Sequence, residues 1–267
     1  MMRVWTAIAL VIPVLAVVVW APAWLFTVLL AAVAILGAHE FYGLARACGA
    51  SPFLWIGSVA TGAFVVLTAM TVGEQVWVAV LVGLLLALGI RALCQPSLMA
   101  THASNASLTL FGAFYLGLLL GLLGSIRNSS AGIVWLLFLF AVVWIGDTAA
   151  LYAGRAWGRH RIAPRVSPKK TWEGAAASLV VAILLGAGFG AWFDVAPGHW
   201  PIVEMAVLGG VINVAAQIGD LVESLFKRGA QVKDSSNLLP GHGGILDRID
   251  ALLFAAPVLW YYVSYFH

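Results

Sequence analysis

Residues 224–250 read SLFKRGAQVKDSSNLLPGHGGILDRID. The stretch follows one apolar run and leads into another, and it resembles neither. Lys227, Arg228, Lys233 and Arg248 are fixed positive charges, and His242 is titratable. Asp234, Asp247 and Asp250 supply carboxylates, with Glu223 just before them. Gly241, Gly243 and Gly244 surround the histidine. A polar insert of this kind between two apolar segments predicts a loop at a membrane surface, and the rest of the chain bears on that reading.

The chain has 267 residues, of which 63% are hydrophobic and 9% charged. A soluble domain is about half apolar and about a quarter charged. So much apolar surface cannot be hidden from water by folding, and the expected solvent is a bilayer. A helical crossing needs about 20 mostly apolar residues. Candidate spans are Val4–Trp20, Pro22–Ala38, Pro52–Thr71, Val76–Leu93, Leu108–Ile126, Ile133–Ala153, Gly174–Phe193, Pro201–Leu221 and Arg248–Tyr265. The expectation is an all-α, polytopic integral membrane protein with about nine transmembrane helices. It forms one integral domain, 1–267, with N-terminal spans in 1–126 and a catalytic half in 127–267. The first two spans, joined by Trp20-Ala21-Pro22, read as a hairpin or as one broken segment. Arg3 and the apolar run that follows imitate a cleaved leader, but the run is long and a second apolar segment follows at once, so it is read as retained. Cys48 and Cys94 have no spacing motif and read as inert small residues.

Basic residues set orientation. With the N-terminus in the cytoplasm, an odd number of crossings puts every Lys and Arg except Arg127 on the cytoplasmic side, 13 of the 14. That partition supports the count as well as the direction. Two cytoplasmic segments stand out, 155–173 (RAWGRHRIAPRVSPKKTWE) and the opening stretch. They flank spans seven and eight and therefore emerge on the same face.

Ionisable groups within a bilayer are costly and need a reason. Asp147 lies in span six. Asn213, Gln217 and Asp220 recur at spacings of four and three along span eight, on one helix face that Glu223 continues. Such a stripe must face protein, water or a bound ion. For Asn213 and Gln217, packing between helices and a functional role are equally good readings. Asp220 has more to explain it, because Asp247, Asp250 and several bases lie close along the chain. Glu40, at the inner end of span two, fits either reading.

In the opening stretch, glycines let backbone N–H groups approach an anion. Asp247 and Asp250 are three apart, on one side of a starting helix. Carboxylates bind Mg2+ together with substrate phosphates, and Lys227, Arg228, Lys233 and Arg248 can hold further phosphate oxygens. These parts together are what a metal–polyphosphate site needs. Arg159, Arg161 and Arg165 need do no more than orient the chain and touch anionic lipid. Lys169 and Lys170, in SPKKTWEG just before span seven, are placed to close over a substrate phosphate.

At these residues the sequence resembles the phosphatidate cytidylyltransferase (CDP-diglyceride synthase) family. The tail of the family signature reads here as Ser224, Lys227-Arg228, Lys233-Asp234, then 240–244 (PGHGG) and 247–250 (DRID). Upstream, 219–224 (GDLVES), 167–174 (SPKKTWEG) and 146–158 (GDTAALYAGRAWG) also look like the family. The motifs cover roughly the C-terminal half; the N-terminal half matches only as a set of membrane spans. Related sequences carry a Tyr four residues after the Asp of span six. Here Leu151 stands there, with Tyr152 beside it, and only a local helix adjustment would restore the hydroxyl.

The resemblance implies transfer of CMP from CTP to phosphatidic acid, giving CDP-diacylglycerol and pyrophosphate. It implies Mg2+, alone or with a second cation, and a site on the cytoplasmic face of a bacterial inner membrane. Asp220 and Asp247 are the first expected metal ligands, with Asp250 next. Asp220, Asp247, Lys227 and Arg248 form the expected catalytic set. Lys169, Lys170, Arg228, Lys233, His242, Gly243, Gly244, Asp147 and Glu223 are expected to touch substrate. Expected partners are CTP, phosphatidic acid, the bilayer and a second copy in a homodimer, with no nucleic acid. Gly112, Gly117, Gly121 and Gly124 of span five offer close helix contact between subunits or within one. The rival class is an ion-coupled transporter relaying charge through Asp147 and Asp220. It predicts internal repeats and acids spread through the membrane depth, whereas the charges here crowd at one face and no repeat is visible.

Overall fold

The computed structural model of the chain describes residues 2–94, 100–193, 202–238 and 243–266, with side chains from residue 11 onward. The helices are α1 (Met2–Trp20), α2 (Ala23–Ala47), α3 (Leu54–Ala69), α4 (Glu74–Leu93), α5 (His102–Gly112), α6 (Leu119–Arg127), α7 (Gly132–Trp157), α8 (Trp172–Phe193), α9 (Ile202–Gly229) and α10 (Leu246–Tyr265). A π-helical stretch, Ala113–Leu118, joins α5 to α6, so 102–127 is one continuous rod. Each expected span therefore has its helix. Spans one and two are separate helices broken at residues 21–22. Among the described residues, six helices are long and apolar enough to cross a membrane: α2, α4, the 102–127 rod, α7, α8 and α9. The protein is an integral membrane protein of mostly helical class. Its apolar surface fits that solvent: on α4 only Leu84 and Leu88 are buried, while Val78, Val82, Leu85, Leu86 and Ile90 face outward.

The chain divides into two compact units, 1–128 with 226–248, and 129–225 with 249–267. Residues 226–248 of the polar stretch fall in the first unit, and 224–225 and 249–250 in the second.

In the first unit, α2, α3 and the 102–127 rod pack closely because glycine removes the side chain at the contact. A Cβ on Gly117 would meet the backbone of Thr61, one on Gly121 the side chain of Thr68, and one on Gly124 the side chain of Ala69. At Gly112 it would run into Tyr42, whose hydroxyl donates to the Thr109 carbonyl at 2.8 Å. The glycine stripe of span five is therefore spent within the chain. An aromatic cluster of Phe41, Phe111, Tyr115 and Phe226 fills the same unit. Arg127 turns its guanidinium onto the carbonyls of Val18 (3.0 Å) and Ala21 (3.2 Å), satisfying the open C-terminal end of α1.

In the second unit, α7 packs on α8, and α8 on α9 through Gly186 and Gly209. A Cβ on Gly186 would strike the Met205 carbonyl, and one on Gly209 the Ala182 carbonyl at 2.5 Å. Between α7 and α8 the chain forms an antiparallel hairpin, β1 (Arg161–Ala163) and β2 (Ser167–Thr171). The all-α expectation had placed a simple loop there. Strands of three and five residues containing a proline and two lysines show no alternation to read.

Candidate active site

The second unit carries a polar stripe on α9, and its upper part is packing. Asn213 donates to the Ser178 hydroxyl at 2.8 Å, and Gln217 donates to Asn213 Oδ1 at 2.6 Å and to the Ala175 carbonyl at 3.3 Å. The two amides thus join α9 to α8. Below them the stripe becomes charged. Asp220, Glu223 and Asp250 bring carboxylate oxygens within 4.8 Å of one another. Glu223 is buried, and Asp220 and Asp250 are partly buried. Gly219 makes this possible: a Cβ there would meet the Asp250 carbonyl at 2.5 Å, so only glycine lets α10 lie so close to α9.

A lysine from the hairpin serves this cluster. Lys170, on β2, puts Nζ 2.6 Å from Asp220 Oδ2 and 3.5 Å from the Gln217 carbonyl. The hairpin aims Lys170 inward and leaves Lys169 exposed. Asp147, on α7, is accessible and lies within electrostatic reach of Asp220 and Lys170. Carboxylate oxygens brought this close repel one another, and positive charge among them relieves that repulsion. Hard oxygen donors in this number suit a hard divalent cation, so the residues present fit a metal ion.

The first unit holds the other half of the signature. Two residues past the end of α9, Gln231 stands in the left-handed region at φ 58°. The Gln231 N–H donates to the Arg228 carbonyl and the Val232 N–H to the Lys227 carbonyl, which closes the helix end. Lys227, in the last turn of α9, is buried. Its ammonium lies 2.5 Å from Asp247 Oδ1, and both side chains are nearly out of solvent. Asp247 Oδ2 accepts from the Ser235 N–H (2.9 Å), the Ser235 hydroxyl (2.8 Å) and the Gly244 N–H (2.8 Å). Burial alone would raise the pKa of Asp247. The hydrogen bonds from Lys227, Gly244 and Ser235, with the Lys227 charge, outweigh it and hold the value at about 2.

The glycines serve the same carboxylates. Gly243 adopts φ +78°, and a Cβ on it would meet Asp247 Oδ2 at 2.7 Å. On Gly244 a Cβ would collide with the Ser235 hydroxyl and with Glu40. The Gly244 N–H that the sequence offered to a substrate anion is engaged by Asp247. Arg228, Lys233 and Arg248 are exposed, with Arg228 Nη1 also donating to the Val232 carbonyl at 2.8 Å. His242 and Gly241 lie outside the described residues. Leu151 and Tyr152 sit in an uninterrupted α-helix, both exposed, so no local adjustment moves the tyrosine into the Leu151 position.

Sequence reasoning missed the reach of Glu40 and the parts played by Ser235 and Ser236. Glu40 is buried on α2 and accepts from the Ser235 hydroxyl (2.9 Å), the Ser236 hydroxyl (2.6 Å) and the N–H groups of Ile245 (3.0 Å) and Leu246 (2.7 Å). The available signal was an acid at the end of an apolar span, close to the membrane face that carries the motif loop.

A membrane-embedded helical protein with clustered carboxylates, paired lysines and exposed cations belongs to the class that handles charged substrates at a bilayer surface. Residues 1–266 match the Cytidylyltransferase family, and the chain belongs to that family. Among similar proteins, the phosphatidate cytidylyltransferase of Brucella suis biovar 1 is 42% identical over 189 residues, which is 69% of this chain and 67% of that one. The Bacillus subtilis phosphatidate cytidylyltransferase is 38% identical over 155 residues, 58% of this chain and 56% of that one. The Haemophilus influenzae phosphatidate cytidylyltransferase is 42% identical over 132 residues, 49% and 46% respectively.

Proposed function

We propose that the protein is a phosphatidate cytidylyltransferase: it transfers CMP from CTP to phosphatidic acid, yielding CDP-diacylglycerol and pyrophosphate. Family membership and the named relatives support this reading. The observation that carries it at the level of residues is the convergence of Asp220, Glu223 and Asp250 on one small volume, with Lys170 beside them. The transporter reading finds no support in the family or the relatives.

In the reaction a phosphate oxygen of the lipid attacks the α-phosphorus of CTP, and the bond to the β,γ-pyrophosphate breaks. Both reactants are anions, so mutual repulsion is the main obstacle. Asp220, Glu223 and Asp250 would hold Mg2+, with Asp147 nearby. When bound, such a metal neutralises phosphate oxygens and steadies their alignment. Asp247, an expected ligand from the sequence, has its oxygens engaged by Lys227, Ser235 and Gly244, and is assigned here to holding Lys227 and the loop. Lys170 offsets charge within the carboxylate cluster. Arg228, Lys233 and Arg248 are accessible and are assigned to the triphosphate and the departing pyrophosphate, and Lys169 to the lipid phosphate. A phosphate monoester loses its second proton near pH 6, by analogy with phosphoserine. The nucleophile is therefore largely ionised at neutral pH, and no side chain need act as general base.

The same reading has nine crossings in a bacterial inner membrane, the N-terminus and the site on the cytoplasmic side, and a homodimer formed through a surface other than the span-five glycines. Purified protein in detergent, given phosphatidic acid, labelled CTP and Mg2+, tests the activity. Labelled CDP-diacylglycerol and released pyrophosphate in equal amounts are the expected result. Well-folded protein that forms neither, across several lipids and divalent metals, would overturn the reading.

A further inference from the structure

The N-terminal spans carry none of the signature residues, yet one of their side chains holds the signature loop. Glu40 lies 195 residues before Ser235 and 206 before Leu246 in the chain. Its two oxygens are shared evenly. Oε1 accepts from the Ser236 hydroxyl and the Ile245 N–H, and Oε2 from the Ser235 hydroxyl and the Leu246 N–H. Ile245 and Leu246 stand at the start of α10, where backbone N–H groups have no partner within the helix and the helix dipole favours negative charge. Glu40 thus caps α10 from another helix. The contact is built to be close, because any side chain at position 244 would strike Glu40 and Ser235.

Ser235 carries the effect onward. Its hydroxyl lies 2.9 Å from Glu40 Oε2 and 2.8 Å from Asp247 Oδ2, one proton between two carboxylates. Asp247 in turn grips Lys227. A chain of direct contacts therefore runs Glu40, Ser235, Asp247, Lys227.

We propose that Glu40 is a positioning residue of the transferase, one that fixes the loop 235–247 and through it the Asp247–Lys227 pair. Glu40 touches no substrate in this account. It acts by occupying the N-terminus of α10 with a protein carboxylate, so that this helix end is closed to a substrate phosphate and the cations on either side of it are held in register. The functional half of the proposal rests on the cytidylyltransferase reading, and the structural half does not.

Full-length protein in lipid nanodiscs, as wild type, Glu40→Gln and Ser236→Ala, is followed by amide hydrogen exchange and by CDP-diacylglycerol turnover. Gln keeps the size of the side chain but removes its charge and one acceptor. Loss of charge-assisted hydrogen bonds of this kind predicts exchange at residues 243–247 faster by about tenfold or more, with α3 and α7 unchanged. Turnover should show kcat lower by about tenfold and KM for CTP within about twofold, the pattern for lost alignment without lost binding. Ser236→Ala removes one of four contacts and should move both readouts the same way by less. In Glu40→Gln, adding Ser236→Ala should then cost little further, because the two residues act as a unit.

Unchanged exchange at 243–247 in Glu40→Gln would overturn the proposal. So would acceleration spread evenly over the helices, which marks general loosening, or a kcat equal to wild type. If Glu40→Gln fails to fold, the Ser236→Ala pair of readouts decides by the same criteria. Wild-type protein that makes no CDP-diacylglycerol refutes the functional reading alone, and the exchange data still decide whether Glu40 holds the loop.

Discussion

At the residue scale, the carboxylates divide by what already surrounds them. Asp247 is saturated with donors and nearly out of solvent, facing a lysine that is equally enclosed. Removing one partner of such a pair leaves an uncompensated buried charge and costs about 3–5 kcal/mol. Asp247→Asn is therefore expected to lower the thermal midpoint in detergent as well as activity, and Lys227→Met to lower the midpoint too. The pH dependence follows from the depressed value of Asp247. Its folded pKa of about 2 lies below the unfolded value of about 3.9. Its stabilisation is thus complete above the unfolded value and is lost as pH falls through the folded one. Between pH 5 and 8 the wild-type midpoint should show no titration from this residue, and a pH series of melting curves checks it. Asp250→Asn differs in kind. It removes a member of the carboxylate cluster. It should reduce turnover by about a hundredfold, the upper end of what loss of a mere outer-shell metal partner costs, and raise the Mg2+ concentration needed. A turnover titration with Mg2+ checks this, run at a temperature at which the melting curve shows the variant folded.

At the element scale, the helices join through missing side chains. Gly186 and Gly209 let α8 and α9 meet backbone to backbone, whereas Gly188 on the same helix has open space around it. Gly186→Ala should force the helices apart at a cost of about 1–3 kcal/mol. Gly188→Ala should be neutral or stabilising by up to about 1 kcal/mol. Melting both variants beside wild type tests whether the contact or mere glycine content matters. The elements also show what a sequence can disclose. Every long helix was legible because each needs a run of apolar residues, and nothing else in the chain has that length. The asparagine–glutamine stripe was legible as one face but not as packing, because Ser178 and Ala175 are 35 and 42 residues away. The hairpin 161–171 was not legible, since its strands are too short for a period. Asp220 and Asp250 announced themselves by charge in an oily chain. Glu40 announced itself in the same way, but its partners lie near the other end of the sequence, and no local pattern points there.

At the scale of the whole molecule, the proposed topology rests on the charge partition. Cys48 follows α2 and Cys94 follows α4, both are exposed, and they are the only cysteines in the chain. With the N-terminus in the cytoplasm both lie on the cytoplasmic side. A membrane-impermeant maleimide should label wild type in inverted vesicles and not in right-side-out ones. Labelling from the opposite side would reverse the orientation, and labelling from both would break the alternation of spans. The central claim is chemical, and one comparison bears on it most directly. Wild type and Asp250→Asn, matched for folding, are incubated in detergent with phosphatidic acid, labelled CTP and Mg2+. The account predicts CDP-diacylglycerol and pyrophosphate in equal amounts from wild type, dependent on the divalent cation and nearly abolished in the variant. Equal turnover by both proteins would contradict the assignment of the carboxylate cluster, and absence of product from folded wild type would contradict the reaction itself.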